Sequence, residues 1–332
     1  MGLGSLLLIF LTTSSFSPYK AKRQPQVEPA PNTIQWELSQ SLLYWKAHEN
    51  RLQYTDTPST IATTTDFTTT SRVSPHFKWH FGGRETLSYF PRPTSFCHDW
   101  DFALEWTYII NKAQGRRSAE PADGMSPLRS LLPDADPADF VSKAQAHWNV
   151  HLNVAEARAT YNYQPLKWFS FSPYLGIKSI WIHQLFKIQY QGGTLISGPE
   201  NIKMRNNCFG IGPEIGIKPV FILSKEWSLF STFAYAPMAG YFRVKQKDTY
   251  TPLDSLQDSH SFWKYAPAMD MSAGFGWKIC LFKSRFSIGL RATWEYHIFF
   301  SQNHLKSGSL YHLKGNKNLT FQGATFSVDL GF

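Results

Sequence analysis

From Tyr265 to Leu281 nearly every second side chain is bulky and apolar, and the alternate ones are small or polar. Tyr265, Pro267, Met269, Met271, Ala273, Phe275, Trp277, Ile279 and Leu281 share one parity; Ala266, Ala268, Asp270, Ser272, Gly274, Gly276, Lys278 and Cys280 share the other. A period of two is the signature of a strand with two unlike faces, because successive side chains of a pleated ribbon point to opposite sides. The next run repeats it: Phe286, Ile288, Leu290, Ala292, Trp294, Tyr296 and Ile298 alternate with Ser287, Gly289, Arg291, Thr293, Glu295 and His297. Only residues 282–285 separate the two runs, which predicts a tight hairpin. The segments Trp100–Tyr108, Phe169–Ile177, Phe209–Ile217 and Trp227–Tyr241 alternate as well.

A soluble sandwich also alternates, and two features separate it from a membrane barrel. The bulky face is aromatic and continues over many strands, while the opposite face is small and charged. In a sandwich the bulky face is the core; in a membrane barrel it meets lipid and the charges turn to the lumen. An aromatic content of 16% with only 17% charged residues suits aromatic girdles on a lipid-facing wall. The connections, moreover, alternate in length. Long ones fall near 47–75, 111–145, 191–200, 247–263 and 303–318, and short ones near 91–98, 163–166, 221–225 and 282–285. The expected fold is therefore all-β: an antiparallel up-and-down transmembrane β-barrel of about 10 strands (8–12), with both termini on the short-turn, periplasmic side. The strands centre near 34–46, 76–90, 99–110, 146–162, 167–190, 201–220, 226–246, 264–282, 284–302 and 319–332. A helical membrane bundle is excluded by a mean hydropathy of -0.30 and by a longest apolar run of only Leu6 to Leu11.

Residues 1–17 read as a signal peptide, 18–32 as a Pro-rich tether and 33–332 as the barrel. The apolar core of the leader lacks a preceding base and a clean small-residue cleavage site. Some features strain against the strand reading. Pro173, Pro213, Pro237 and Pro267 each remove a ladder hydrogen bond and require bulges or strand ends. In 146–162 the apolar parity slips after Val154, which predicts a bulge or a misplaced strand. Several strands also exceed the 9–11 residues that a bilayer needs, so their ends must project. Cys97, Cys208 and Cys280 are an odd number without metal-ligand spacing and read as free structural thiols.

A small pattern recurs: Gly176-Ile177-Lys178, Gly216-Ile217-Lys218, Gly276-Trp277-Lys278 and Gly289-Leu290-Arg291. The bulky residue takes the lipid-facing parity, and the glycine and base take the other. A base on the lipid face at mid-bilayer costs about 2–4 kcal/mol, so these bases point inward. Asp101, Glu105, Glu214, Asp270 and Glu295 share the inward parity. Lys178, Lys218, Lys278, Arg291 and these five acids are the lumen or constriction candidates. Two readings of them stay open: a charged constriction that selects solutes, and a salt-bridged plug that fills a narrow lumen. The chain ends in an alternating run, Phe326, Val328, Leu330 and Phe332, which is the candidate signal for the barrel assembly machinery.

No catalysis is expected. Asp270, Ser272 and His297 can be drawn as a hydrolase set, but their inward parity sets them apart from barrels whose lipase sites lie on the lipid-facing surface. There is no Ser elbow, no phosphate-cradling glycine loop and no zinc spacing. His147 and His151 are four apart, which shares a face on a helix but carries little meaning on a strand, so neither metal nor cofactor is expected. The formal net charge of +9 comes without any Lys/Arg block, which argues against nucleic acid and for membrane lipids and lipopolysaccharide as partners. The stretches Thr55–Ser74 and Arg116–Asp139 read as solvated loops, with host-surface ligands as the alternative.

Several local patterns occur in a familiar order. They begin with Leu43-Tyr44-Trp45-Lys46 and Arg51-Leu52-Gln53-Tyr54, followed by Phe77-Lys78-Trp79 with Gly82-Gly83. Next come His98-Asp99-Trp100-Asp101 leading to Trp106-Thr107, then Pro173 to Gly176 with Trp181-Ile182-His183-Gln184, and Gly210 to Gly216. The order resembles the Legionella-type major outer membrane protein family, also found in chlamydia-like bacteria, over roughly residues 35–332. The resemblance implies a bacterial outer-membrane pore former that passes small hydrophilic solutes, with a non-conducting structural or adhesive barrel as the alternative. It supplies no catalytic residues.

Overall fold

The computed structural model describes residues 35–56, 59–60, 72–91, 95, 99–120, 123–130, 140–250, 255–281, 285–305 and 317–332. The predicted leader and tether, Cys97 and residues 282–284 of the predicted tight hairpin lie outside them. Every regular element among the described residues is a strand. The wall consists of β1 (Trp36–Glu49), β2 (Trp79–Tyr89), β3 (Trp100–Ser118), β4 (Lys143–Tyr161) and β5 (Phe169–Gly192). It continues through β6 (Leu195–Ile222), β7 (Trp227–Ala236 and Ala239–Tyr250), β8 (Leu256–Tyr265 and Ala268–Leu281), β9 (Phe286–Phe299) and β10 (Leu319–Gly331). Each strand pairs antiparallel with its neighbours in sequence, and β1 pairs β10 from Glu37↔Gly331 to Glu49↔Leu319. The ring is closed within the membrane band; beyond it the outer half of β8, Leu256–Tyr265, pairs only with β7 among the described residues and leaves a free edge. Phe332 finishes the seam: its N–H donates to the Trp36 carbonyl at 2.9 Å and its own carbonyl accepts from Trp36 N–H at 3.0 Å.

Two belts of aromatic rings circle the outside. On the short-turn side Trp36 meets Tyr89 at 4.7 Å, Trp100 meets Tyr161 at 5.4 Å and Trp168 stacks on Phe221 at 6.1 Å. On the long-connection side Tyr44 stacks on Trp79 at 5.4 Å, Trp79 meets Trp294 at 6.0 Å, and Trp181 meets Phe209 at 5.6 Å. Between the belts the outward positions carry exposed apolar residues such as Leu104, Leu175, Ile215, Phe275, Leu290 and Val328. The belts are separated by about the 9–11 residues that a tilted strand needs to cross hydrocarbon.

Beyond the second belt the two faces exchange character while the parity continues. On β4 the inward residues change from Glu156 and Arg158 to buried Val154, Leu152, Val150 and Trp148, and the outward ones from Ala157 and Ala155 to Asn153, His151, Asn149 and His147. The predicted slip after Val154 is therefore corrected. Pairing with β3 and β5 runs through this point without a register shift. What changes is the surrounding medium: a wall in lipid wants apolar side chains outside, and a wall in water wants them inside.

The expected long connections near 191–200 and 247–263 are also corrected, because the strands simply continue outward. β5 and β6 meet in a tight turn where Gly192 and Gly193 take φ of 71° and 70°, a conformation that glycine adopts without penalty. β7 and β8 pair up to Asp248↔Leu256. Pro237 and Pro267 fall in the two interruptions of β7 and β8, and Pro213 of β6 faces the first of them. The register is the same on both sides of each break. The prolines thus delete ladder bonds without displacing the strands, at the height where β9 ends and the β7–β8 hairpin goes on beside β6 alone.

Candidate functional site: the charged lumen

Inside the membrane band the inward side chains close a ring of alternating charge. Arg84 on β2 lies 3.2 Å from Glu105 on β3 and 2.9 Å from Glu295 on β9. Arg158 on β4 pairs with Glu105 and, at 3.5 Å, with Glu156. Lys178 on β5 lies 2.6 Å from Glu156 and 3.5 Å from Glu214 on β6, and also contacts Asp270 on β8. His297 completes the circuit, with Nδ1 2.6 Å from Asp270 and Nε2 3.0 Å from Glu295. Both imidazole nitrogens face carboxylates, an arrangement that the doubly protonated ring satisfies because both nitrogens then donate. Every cation touches at least two acids, the condition under which buried ions are held without a large uncompensated desolvation cost. Glu156, Glu214 and Asp270 come close enough together to suggest a metal, but the ammonium of Lys178 already sits among them.

The ring lines a vestibule of about 520 Å³ that extends from it toward the short turns, with Trp45, Leu152, Val154 and Phe299 at its far end. Arg291 reaches Asp329 with Nε and Nη2, each at 2.7 Å, and donates to Ser39 Oγ at 2.9 Å. Lys218 lies over the Phe230 ring, 5.6 Å from its centroid, and Asp101 accepts from Asn162. Gly216 is needed here, since a Cβ at that position would come within 2.3 Å of the Tyr174 ring.

On the other side of the ring the lumen is filled, mainly by apolar side chains, with Glu49, Gln184, Asn206 and Gln246 buried among them. Trp45, Trp148, Ile182, Phe186, Phe242 and Phe321 are fully or almost fully buried and fill the space between the walls. Segments from three connections seal it. The side chain of Arg129 is completely buried and donates to the carbonyls of Gln53 at 2.9 Å and Leu305 at 3.4 Å, and also to that of Arg51. Gln246 of β7 donates to the Arg129 carbonyl at 3.3 Å, and Ser130 donates to Glu200 of β6 at 2.7 Å. Asn206 of β6 holds the Gln302 carbonyl at 2.6 Å.

Of the predicted lumen residues, Lys178, Glu105, Glu214, Asp270 and Glu295 join the ring, while Lys218, Arg291 and Asp101 line the vestibule. Lys278 is corrected: its side chain is 48% exposed and pairs with Glu37 at 2.6 Å at the short-turn rim, outside any constriction. Sequence reasoning missed Arg84, Glu156 and Arg158, and placed His297 only in an imagined hydrolase. Ser272 makes no hydrogen bond to His297. A register inferred through the apparent slip would have exposed Glu156 and Arg158. Phe326, Val328, Leu330 and Phe332 form an exposed outward row on β10. His147 and His151 both face outward on β4, and Cys208 is buried and Cys280 exposed, both free.

One outward feature has no counterpart in the sequence reading. Gln40 of β1 and Glu85 of β2 are register partners that both face lipid between the two aromatic belts. They belong to a shallow saddle of about 1330 Å³ on the wall, bordered by Leu42, Trp106, Leu290 and Val328.

A family model described as Legionella pneumophila major outer membrane protein precursor matches residues 29–332. The chain belongs to this family. It is accordingly a protein of a bacterial outer membrane, where barrels carry their short turns on the periplasmic side and their longer connections outside. No curated protein matches the chain. Among solved structures, the outer membrane protease OmpT from Escherichia coli is similar at 12% identity, with 90% of this chain and 97% of that chain covered and a TM-score of 0.45. The Pseudomonas putida toluene transporter TodX follows at 8% identity, 91% and 90% coverage and a TM-score of 0.36. The attachment invasion locus protein Ail of Yersinia pestis has 11% identity, 90% and 97% coverage and a TM-score of 0.22. Similarities this low carry no argument about activity.

Proposed function

We propose that this protein is a closed outer-membrane barrel that serves as a stable wall component and displays a rigid outer hairpin wall, rather than a standing route for hydrophilic solutes. The observation that carries this reading is the pair of barriers stacked along the axis: a completed ion-pair ring, and beyond it an apolar filling capped by Arg129. Water and ions cross apolar constrictions poorly, because they lose hydration without regaining partners. The continued strands β5–β8 supply a surface beyond the membrane on which host-surface or neighbouring molecules could be held. Planar-bilayer recordings of the purified barrel test the proposal. No steady conductance steps are expected, and a persistent ohmic level would overturn it.

A second reading, a passive pore for small hydrophilic solutes that opens when the cap withdraws, is favoured by the charged vestibule of about 520 Å³. Under it, steps appear intermittently and their ion selectivity changes on replacing Arg291 or Asp270.

A further inference from the structure

The outward face of β3–β8 beyond the outer aromatic belt is basic and contains no acidic residue. Register sets the geometry. Trp181, Phe209, Tyr241 and Trp263 are successive cross-strand partners on β5–β8 and form one aromatic row at the membrane boundary. Six residues farther out along β5, β6 and β7, Lys187, Lys203 and Lys247 are likewise successive partners and form a parallel row of exposed cations. Between the two rows, Arg205 pairs in register with Lys245, and Asn207 with Arg243.

Like charges placed directly opposite on neighbouring strands destabilise a sheet. Three lysines in line, backed by three further bases, therefore call for an external anion. None of the six makes an ion pair with a carboxylate among the described residues. At about 3.3 Å per residue on a tilted strand, the bases stand roughly 5–15 Å outside the aromatic row. That is the depth of headgroup phosphates, since tryptophan and tyrosine mark the boundary of the hydrocarbon. The anion must also be spread over three strands, which suits a glycolipid with several phosphates. On β1 and β10 the corresponding outward positions carry Lys46, His48, Gln322 and Thr320, so the patch occupies one side of the barrel.

From this juxtaposition of an aromatic row and an acid-free basic row we infer that β5–β7 form a docking surface for the phosphate groups of lipopolysaccharide in the outer leaflet. The inference holds whether or not the lumen conducts.

The test is titration of the folded, full-length barrel in detergent with fluorescent bis-phosphorylated lipid A and with its dephosphorylated form. The K187Q/K203Q/K247Q variant is compared with K167Q/K225Q/R285Q, which removes the same charge from turn and strand-end positions on the periplasmic side. Heat-dependent gel mobility confirms that each variant is folded. The first variant is expected to bind bis-phosphorylated lipid A at least tenfold more weakly, the second to bind it as the wild type does, and the dephosphorylated lipid to bind weakly to all three. The proposal is overturned if both variants lose binding equally, if the first loses none, or if inorganic phosphate at the same phosphate concentration displaces the lipid.

Discussion

Lys178 holds apart three carboxylates that would otherwise repel one another in a site almost closed to water. Lys178→Met leaves Glu156, Glu214 and Asp270 facing each other without a cation, and removing one member of a buried ion group typically costs about 3–5 kcal/mol. Urea unfolding in lipid vesicles is expected to show a loss of that size; an unchanged midpoint would mean that the ring contributes nothing to the fold. Glu85 presents the opposite case, an acid facing lipid with no ion-pair partner among the described residues. Glu85→Leu is expected to raise stability by about 1–2 kcal/mol in the same assay, since acids on the lipid wall cost less than the 2–4 kcal/mol of a base. Both residues illustrate what single positions reveal. Lys178, Glu214 and Asp270 could be read as inward from strand parity alone. Their assembly into one circuit could not, because it depends on which strands face each other across the lumen, and parity says nothing about that. Glu85 is exposed among the outward residues of β2, and a carboxylate at that place runs against the apolar-outward pattern by which lipid-facing positions are recognised in the sequence.

Strands were the most legible elements, because a wall with lipid on one side writes its period directly into side-chain chemistry. On β8, Ala273 faces lipid while the adjacent Ser272 lines the vestibule. Lysine at Ala273 should therefore cost about 2–4 kcal/mol and depress assembly, whereas lysine at Ser272 should be tolerated far better. Heat-dependent mobility of the two variants measures this, and equal losses would contradict a two-faced strand. The outer halves of β4–β8 were less legible. Once a strand leaves the bilayer the apolar parity moves to the inner face, which in the sequence looks like a slipped register or the start of a loop. The cap was illegible, since it joins residues from connections far apart in the chain. Its His304 lies between Phe242 and Phe262, with ring centroids at 4.5 and 4.9 Å. Burial, reinforced by the cations Lys264 and Lys317 and by His260, lowers its pKa to about 4. A folded pKa below the unfolded value of about 6.5 favours the neutral ring. Its contribution is therefore complete above pH 6.5 and disappears as pH falls toward 4. The hydrogen-exchange protection factors of residues 300–305, corrected for the intrinsic pH dependence of amide exchange, should fall over that interval, and His304→Phe should remove the dependence.

At the scale of the whole molecule the two closures lie in series along one axis, and that arrangement makes a prediction neither closure makes alone. Arg129→Ala removes the side chain that ties three connections together and should loosen the cap, but the ion-pair ring still spans the lumen beneath it. Lys178→Met breaks the ring, but the packed outer half still fills the lumen. Resistances in series are dominated by whichever barrier remains, so each single variant should stay nearly silent in a planar bilayer. Only the double variant should give frequent conductance steps, well above the sum of the singles. Its folded state has to be established first by gel mobility, because the two losses act on separate parts of the barrel and should add in stability. If Arg129→Ala alone conducts steadily, the ring is no barrier and the cap is a gate, which favours the pore reading. If Lys178→Met alone conducts, the outer half is hydrated and its apolar filling does not seal the barrel.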